Sequence, residues 1–367
     1  MIKILFLASS LNTGDLNQKD AILSALSNIE PIEIIVDASS PNAKEIFLDK
    51  APQNEKYITI AIGDHGQNLL LELKNHIDKE NNYVVLSTHQ YTDKIAELTL
   101  NKIIDHIALP EATINSKARK HISKINQSLL FTVPTKNPSL DNLKHDYNNW
   151  NEPTKPSLDK KYIIVTLPGD IIDPSGKISL FSLSSAKELL KYIKKLWMDT
   201  NKEYEVIIQN SPRTGKYDHN GNIICSHQHN NNEIDHISLK FIAWLEEENI
   251  PHKFFNFTFK DGKTNSVYNQ LIYLGIEGKD NYFITSAGSI SMMAQIPFYI
   301  PANKNIAFKP DSMKEAHTAI FNLGIDRQYF SYFLKDGTIA KSTSSKIKTD
   351  DDAKKLANDL TKAINLK

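Results

Sequence analysis

The chain of 367 residues has a single cysteine, Cys225. An intrachain disulfide framework is therefore excluded, and a thiolate-built zinc or iron–sulfur centre has too few ligands. An excess of charge of one sign is lacking too, since 43 Lys and Arg balance 43 Asp and Glu for a formal net charge of zero. Without a basic excess or stripe, neither nucleic acid nor a polybasic membrane anchor is expected. No apolar run approaches the ~20 residues that span a bilayer. The N-terminal run ends at Ser9 and Ser10, too early for a good signal peptide, so a cytoplasmic protein is expected, with peripheral membrane contact left open. The sequence has no HExxH pattern. Cys225, His227, His229 and His236 fall together in Asn-rich sequence that reads as an exposed turn, so no metal is expected there.

What is present is 40% hydrophobic residues, enough for a core in each of two domains of roughly 100–200 residues. Short, continuously apolar stretches alternate with helical periodicity. Strands are expected at 2–8, 32–36, 57–62, 83–87, 103–109 and 129–133, with helices at 17–27 and 69–77. This is the pattern of a parallel sheet covered on both faces. Residues 137–159 interrupt it with Pro138, Pro153, Pro156 and many Asn and Asp, which suits a linker with a short helix near Leu140. The pattern then restarts, with strands at 162–167, 205–209, 282–285 and 298–300. Helices are expected at 184–198, 237–248, 313–323 and 350–365, the last opening on three aspartates. The expected organisation is a first Rossmann-like lobe at 1–140, a linker at 141–158, a second Rossmann-like lobe at 159–335, and a C-terminal segment at 336–367 ending in a helix.

In doubly wound sheets ligands bind outside the carboxyl ends of the strands, so the residues just after strands are the candidates. After the first strand come Gly14, Asp15, Asn17 and Gln18, small and polar, with one carboxylate; the alternative is a turn and a helix cap. Gly63, Asp64 and His65 follow the third strand, where a tight turn is the competing explanation. Glu111 follows Pro110, which ends a strand. In the second half, Ser211, Arg213 and Thr214 follow a strand. An arginine there suits phosphate because it is always charged and can bind two oxygens; a surface arginine in a turn is the alternative. Ser286, Gly288, Ser289 and Ser291 form a small-residue loop leading into a helix, whose free N–H groups can hold a diphosphate without metal.

The Ser211-Pro212-Arg213-Thr214 and Ser286-Ala287-Gly288-Ser289-Ile290-Ser291-Met292-Met293 segments, in this order, resemble the mitochondrial fission protein family of plants and bacteria, described as glycosyltransferases. Gly14-Asp15-Leu16-Asn17-Gln18 is similar to that family's Gly…Asn-Gln segment, and Leu109-Pro110-Glu111 to its strand-Pro-Glu segment. The chain departs from it at Gly288, where the family has Asp, and at Gln295, where it has Glu. The resemblance implies a GT-B-like fold: two facing Rossmann-like doubly wound lobes, with the C-terminal helix returning to the first. It implies sugar transfer from a nucleotide-sugar donor, bound as substrate with no cofactor, to an unidentified acceptor such as a cell-envelope glycan. Arg213, Thr214, Ser211, Ser286, Gly288, Ser289, Ser291 and Gln295 would meet the donor. Gly14, Asn17, Gln18, Gly63 and His65 would line the acceptor side, and Asp15 or Glu111 would be the base. A catalytically silent nucleotide- or partner-binding module, and a nucleotide-sugar epimerase or hydrolase, remain alternatives.

Overall fold

The computed structural model describes residues 2–10, 13–26, 32–151, 153, 155–172, 176–225, 233–260 and 263–365. They fall into two compact units, residues 1–137 with 350–367, and residues 138–349.

Unit 1 runs β1 (Lys3–Ala8), α1 (Thr13–Ala25), β2 (Ile32–Asp37), α2 (Ala43–Lys50), β3 (Tyr57–Ile62), α3 (Gly63–Glu72), β4 (Asn82–Ser87), α4 (Asp93–Leu100), β5 (His106–Pro110), α5 (Ser116–Ile122) and β6 (Asn126–Leu130). The strands form one parallel sheet in the order β2-β1-β3-β4-β5-β6. Every residue of β3 and β4 is buried, as a sheet covered on both faces requires. Strand alternation divides β1 between two cores. Leu5 and Leu7 pack with Phe47, Leu69, Leu98 and Ile122 from α2 to α5. Ile4 and Phe6 pack with Ile22 of α1 and with Leu356 and Leu360 near the C-terminus.

Unit 2 runs α6 (Leu140–Asn148), β7 (Tyr162–Thr166), β8 (Ile171–Ile172), β9 (Ile178–Ser179), α7 (Leu183–Asp199), β10 (Glu205–Gln209), α8 (His236–Glu247), β11 (His252–Phe255), β12 (Thr258–Lys260), β13 (Lys263–Asn265), α9 (Tyr268–Glu277), β14 (Tyr282–Ser286), α10 (Ile290–Tyr299), β15 (Asn305–Phe308), α11 (Glu315–Asp326), β16 (Ser331–Phe333) and β17 (Ile339–Ala340). Its main sheet has the order β11-β10-β7-β14-β15-β16-β17 and is parallel up to β16. The final helix α12 (Asp352–Asn365) belongs to unit 1.

The docking of α12 is specific. Asp351 caps it, accepting from Ala353 N and Lys354 N at 3.0 and 3.1 Å. Asp352 turns instead to the end of β6, accepting from Phe131 N at 3.0 Å and Thr132 N at 3.2 Å. Asp359 accepts from Ser128 Oγ at 2.7 Å.

Several local expectations need correction. The stretch 141–158, expected as a linker with a short helix near Leu140, carries most of α6, and that helix is part of a core: Leu143 and Tyr147 pack with Trp150, Phe255 and Leu271 of unit 2. Residues 298–299 are helix, not strand: α10 continues through Pro297 to Tyr299, and Ile300 N still donates to Ile296 O at 2.9 Å. The apolar run there is a buried helix face, which a short window cannot distinguish from a strand. Strands expected at 103–109 and 129–133 are His106–Pro110 and Asn126–Leu130. Helices α1 and α3 begin earlier than expected, α3 directly after β3, and α2, α4 and α5 are additional.

Candidate functional site

Each sheet has one place where the chain reverses its direction of winding, and crevices for ligands open at the carboxyl ends of those strands. In unit 2 that place lies between β7 and β14, because β10 and β11 are laid on one side of β7 and β14, β15 and β16 on the other. The loops after β10 and β14 therefore flank the loop after β7. With neighbouring strands about 4.8 Å apart, the ends of β10 and β14 are about 10 Å apart.

The loop after β10 carries Ser211, Arg213 and Thr214. Thr214 is fully buried and its hydroxyl is occupied: Oγ1 accepts from Ser211 N and donates to Pro168 O, both at 2.9 Å. Thr214 and Ser211 shape this loop. Arg213 is exposed, and its guanidinium has no hydrogen-bond or ion-pair partner among the described residues. Gly169, in the loop after β7, lies so close beneath that a Cβ there would come within 2.7 Å of Ser211 Oγ and 2.8 Å of Arg213 Cβ.

The loop after β14 is short. Ser286 Oγ accepts from Gly288 N at 3.2 Å, and Ser289 caps α10, its Oγ accepting from Met292 N at 3.4 Å. Ser289 Oγ and Ser291 Oγ are 3.3 Å apart on the first turn. The remaining first-turn N–H groups and the positive helix end make a place for an anion. At Gly288, a Cβ would lie 3.1 Å from Pro310 Cγ and 3.4 Å from Ile171 Cδ1. The acidic side chain of the resembling family has no room there unless Pro310 moves. Gln295 is buried on α10.

In unit 1 the corresponding place lies between β1 and β3. Gly14, Asp15, Asn17 and Gln18 are on the first turns of α1, not in a loop. Asp15 is only 3% exposed. Its carboxylate lies against the start of α3, where a Cβ on Gly63 would come within 2.7 Å of Oδ1. Gly63 has φ +63°, a conformation that lets β3 pass straight into α3. Gly63 to Gln67 thus form the first turns of a helix rather than a tight turn. Gln18 Oε1 accepts from Ser87 Oγ at 3.2 Å, and Asn17 Oδ1 from Lys136 N at 2.9 Å. His65 is exposed, and Glu111 is half-buried in a single turn after β5.

No cluster of three or more metal-ligating side chains occurs among the described residues. Cys225 is buried, and burial pushes its thiol up to about 11. His236 is exposed at the start of α8, while His227 and His229 lie outside the described residues. No described helix is long and apolar enough to cross a membrane.

Sequence reasoning missed Asp170, Lys216 and Gln67. Asp170 is buried after β7, and Lys216 lies three residues beyond Arg213. Gln67 is buried on α3, with Oε1 accepting from Thr92 Oγ1 at 3.1 Å and no hydrogen-bond partner for Nε2 among the described residues. Their position after strands was visible in the sequence, but their burial was not.

No protein-family profile and no curated protein matches the chain. Among solved structures, the chain is similar to a Staphylococcus aureus MnaA–UDP co-structure, with 10% identity, TM-score 0.46, and 100% and 98% of the two chains covered. It is similar to Acinetobacter baumannii MurG, with 10% identity, TM-score 0.48, and 99% and 90% covered. It is also similar to the α,α-trehalose 6-phosphate synthase of Burkholderia multivorans, with 8% identity, TM-score 0.44, and 100% and 91% covered. At these values the likenesses identify neither a ligand nor a reaction.

Proposed function

We propose that the chain is a cytoplasmic, metal-independent glycosyltransferase of the GT-B type, allied to the mitochondrial fission family by the segments around Arg213 and Ser289. The donor is a nucleotide sugar held by unit 2, and unit 1 takes the acceptor, such as a cell-envelope glycan. One observation carries the reading: at the switch point of unit 2, Arg213, whose guanidinium has no partner among the described residues, stands on one side of β7 and the Ser289-capped start of α10 on the other. A diphosphate fits the chemistry of both.

In transfer, the bond between the anomeric carbon and the diphosphate breaks, and its electron pair goes to the phosphate oxygen. Arg213 and the start of α10 stabilise that developing charge. The acceptor hydroxyl oxygen bonds the anomeric carbon, and its proton passes to a carboxylate, Asp15 or Glu111. Of the two, Glu111 has the accessibility, whereas Asp15 is buried against a positive helix end.

That placement of Asp15, with Gly288 and Gln295 standing where the family has acidic residues, favours a second reading: a silent module that binds a nucleotide without turnover. Incubation with a panel of nucleotide sugars, assayed for nucleoside diphosphate release and for epimerised donor, separates the readings. Diphosphate release stimulated by an acceptor glycan supports transfer. Binding without release supports the silent module, and donor conversion without acceptor supports an epimerase or hydrolase.

A further inference from the structure

We infer that Lys216 joins Arg213 in a two-cation grip on the terminal phosphoryl group of a diphosphate, and that Asp170 is the positioning residue that holds this grip in place; the inference rests on the donor reading of unit 2. Asp170 follows β7 at the switch point. Its carboxylate accepts three backbone bonds, from Phe181 N at 2.8 Å, Lys216 N at 3.0 Å and Tyr217 N at 3.1 Å. Its own N–H donates to Arg213 O at 2.9 Å. One buried residue thus fixes both ends of the 213–217 loop, while Gly169 beside it leaves the loop room to sit close.

Asp170 fixes the loop without neutralising it. Its oxygens are taken by backbone donors, and neither Arg213 nor Lys216 has an ion pair or side-chain hydrogen bond among the described residues. The Lys216 ammonium lies 5.4 Å from the centroid of the Tyr217 ring and is half-buried. Burial, and then the Arg213 charge beside it, hold its pKa below the ordinary lysine range. Two cations three residues apart on one loop, one of them half-buried and neither ion-paired among the described residues, repel one another and are relieved by a multiply charged anion. Two like charges on one loop favour a terminal phosphoryl group over a singly charged ligand.

The test is isothermal titration of uridine, UMP and UDP, with the adenosine and guanosine series in parallel, into the whole chain and its Lys216→Gln, Lys216→Arg, Asp170→Asn and Arg213→Ala variants. Lys216→Gln should weaken diphosphate binding on the order of tenfold and leave the nucleoside unchanged, with Lys216→Arg restoring most of the loss. Asp170→Asn should lose the same diphosphate increment, because an amide cannot accept all three backbone bonds. Diphosphate binding by Lys216→Gln equal to the parent's overturns the grip, whatever Arg213→Ala does. Equal losses for nucleoside and diphosphate in Asp170→Asn make that residue merely structural and overturn its positioning role. If the parent binds no nucleotide, the donor reading fails, and inorganic pyrophosphate decides the grip: binding lost in Lys216→Gln supports it, and no binding overturns it.

Discussion

Acidification should loosen unit 1 through one side chain, His106. The imidazole is 2% exposed and sits in a chain of hydrogen bonds whose direction can be worked out. Asn126 Nδ2 donates to Tyr83 Oη at 2.9 Å, and Ser128 Oγ donates to Asp359 Oδ2 at 2.7 Å. Tyr83 Oη lies 3.4 Å from His106 Nδ1, to which it can donate, and Ser128 Oγ can accept from His106 Nε2 at 2.8 Å. Every donor is satisfied with a neutral ring protonated on Nε2, whereas a second proton on Nδ1 would have to displace that of Tyr83. Burial lowers the His106 pKa from 6.5 to about 4, against the opposing pull of Asp359 and Asp105. The unfolded chain therefore binds a proton that the folded one refuses, so stability is intact above pH 6.5 and is lost as pH falls through about 4. That gap is worth about 3 kcal/mol. All three tryptophans, Trp150, Trp197 and Trp244, lie in unit 2, so tryptophan fluorescence does not report on unit 1. Hydrogen exchange of β5 and β6 amides in urea, stepped from pH 7.5 to 4.5, does. His106→Gln keeps a donor towards Ser128 and removes the titration. It should lower stability at neutral pH yet flatten the acid slope relative to the parent. Parallel slopes for the two proteins would refute the reasoning.

Three further outcomes are expected. Arg213→Ala should weaken nucleoside diphosphate binding by about 1.5–3 kcal/mol, the size of a hydrogen bond to a charged group, while the free nucleoside is little affected in the same titration. Gly63→Ala should cost about 1–2 kcal/mol from its positive φ alone, before the contact with Asp15, and urea denaturation followed at unit 1 checks it. If a carboxylate removes the acceptor proton, Glu111→Gln or Asp15→Asn should cut turnover by about 10²–10⁴ with donor affinity kept; normal turnover in both variants would remove the base from the mechanism.

The sheets were legible where apolar runs were short and unmixed. β3, buried at all positions, and β10 fall where the residues put them. The alternation of strand and helix also pointed to two doubly wound units. Residues 298–299 misled because Ile296 to Ile300 is apolar throughout, which suits either a strand or a buried helix. In the proline- and asparagine-rich stretch the short helix near Leu140 was legible, but not its hold, which comes from Leu143, Tyr147 and Trp150 packing onto distant residues such as Phe255. At the candidate site, the sequence brought out Arg213 and the Ser289 helix start, since both follow strands. It could not bring out Asp170, whose part depends on three backbone partners up to 47 residues away. Nor could it tell that Thr214 spends its hydroxyl on the loop, or that Asp15 is buried beneath Gly63.

The most direct test of a metal-independent diphosphate site in unit 2 is calorimetric titration of nucleosides and their diphosphates into the whole chain, with and without EDTA. The account predicts one site that prefers a nucleoside diphosphate to its nucleoside, undiminished by the chelator because Arg213 and the start of α10 supply the positive charge. Binding that vanishes in EDTA and returns with a divalent ion, or a diphosphate bound no better than its nucleoside, would contradict it.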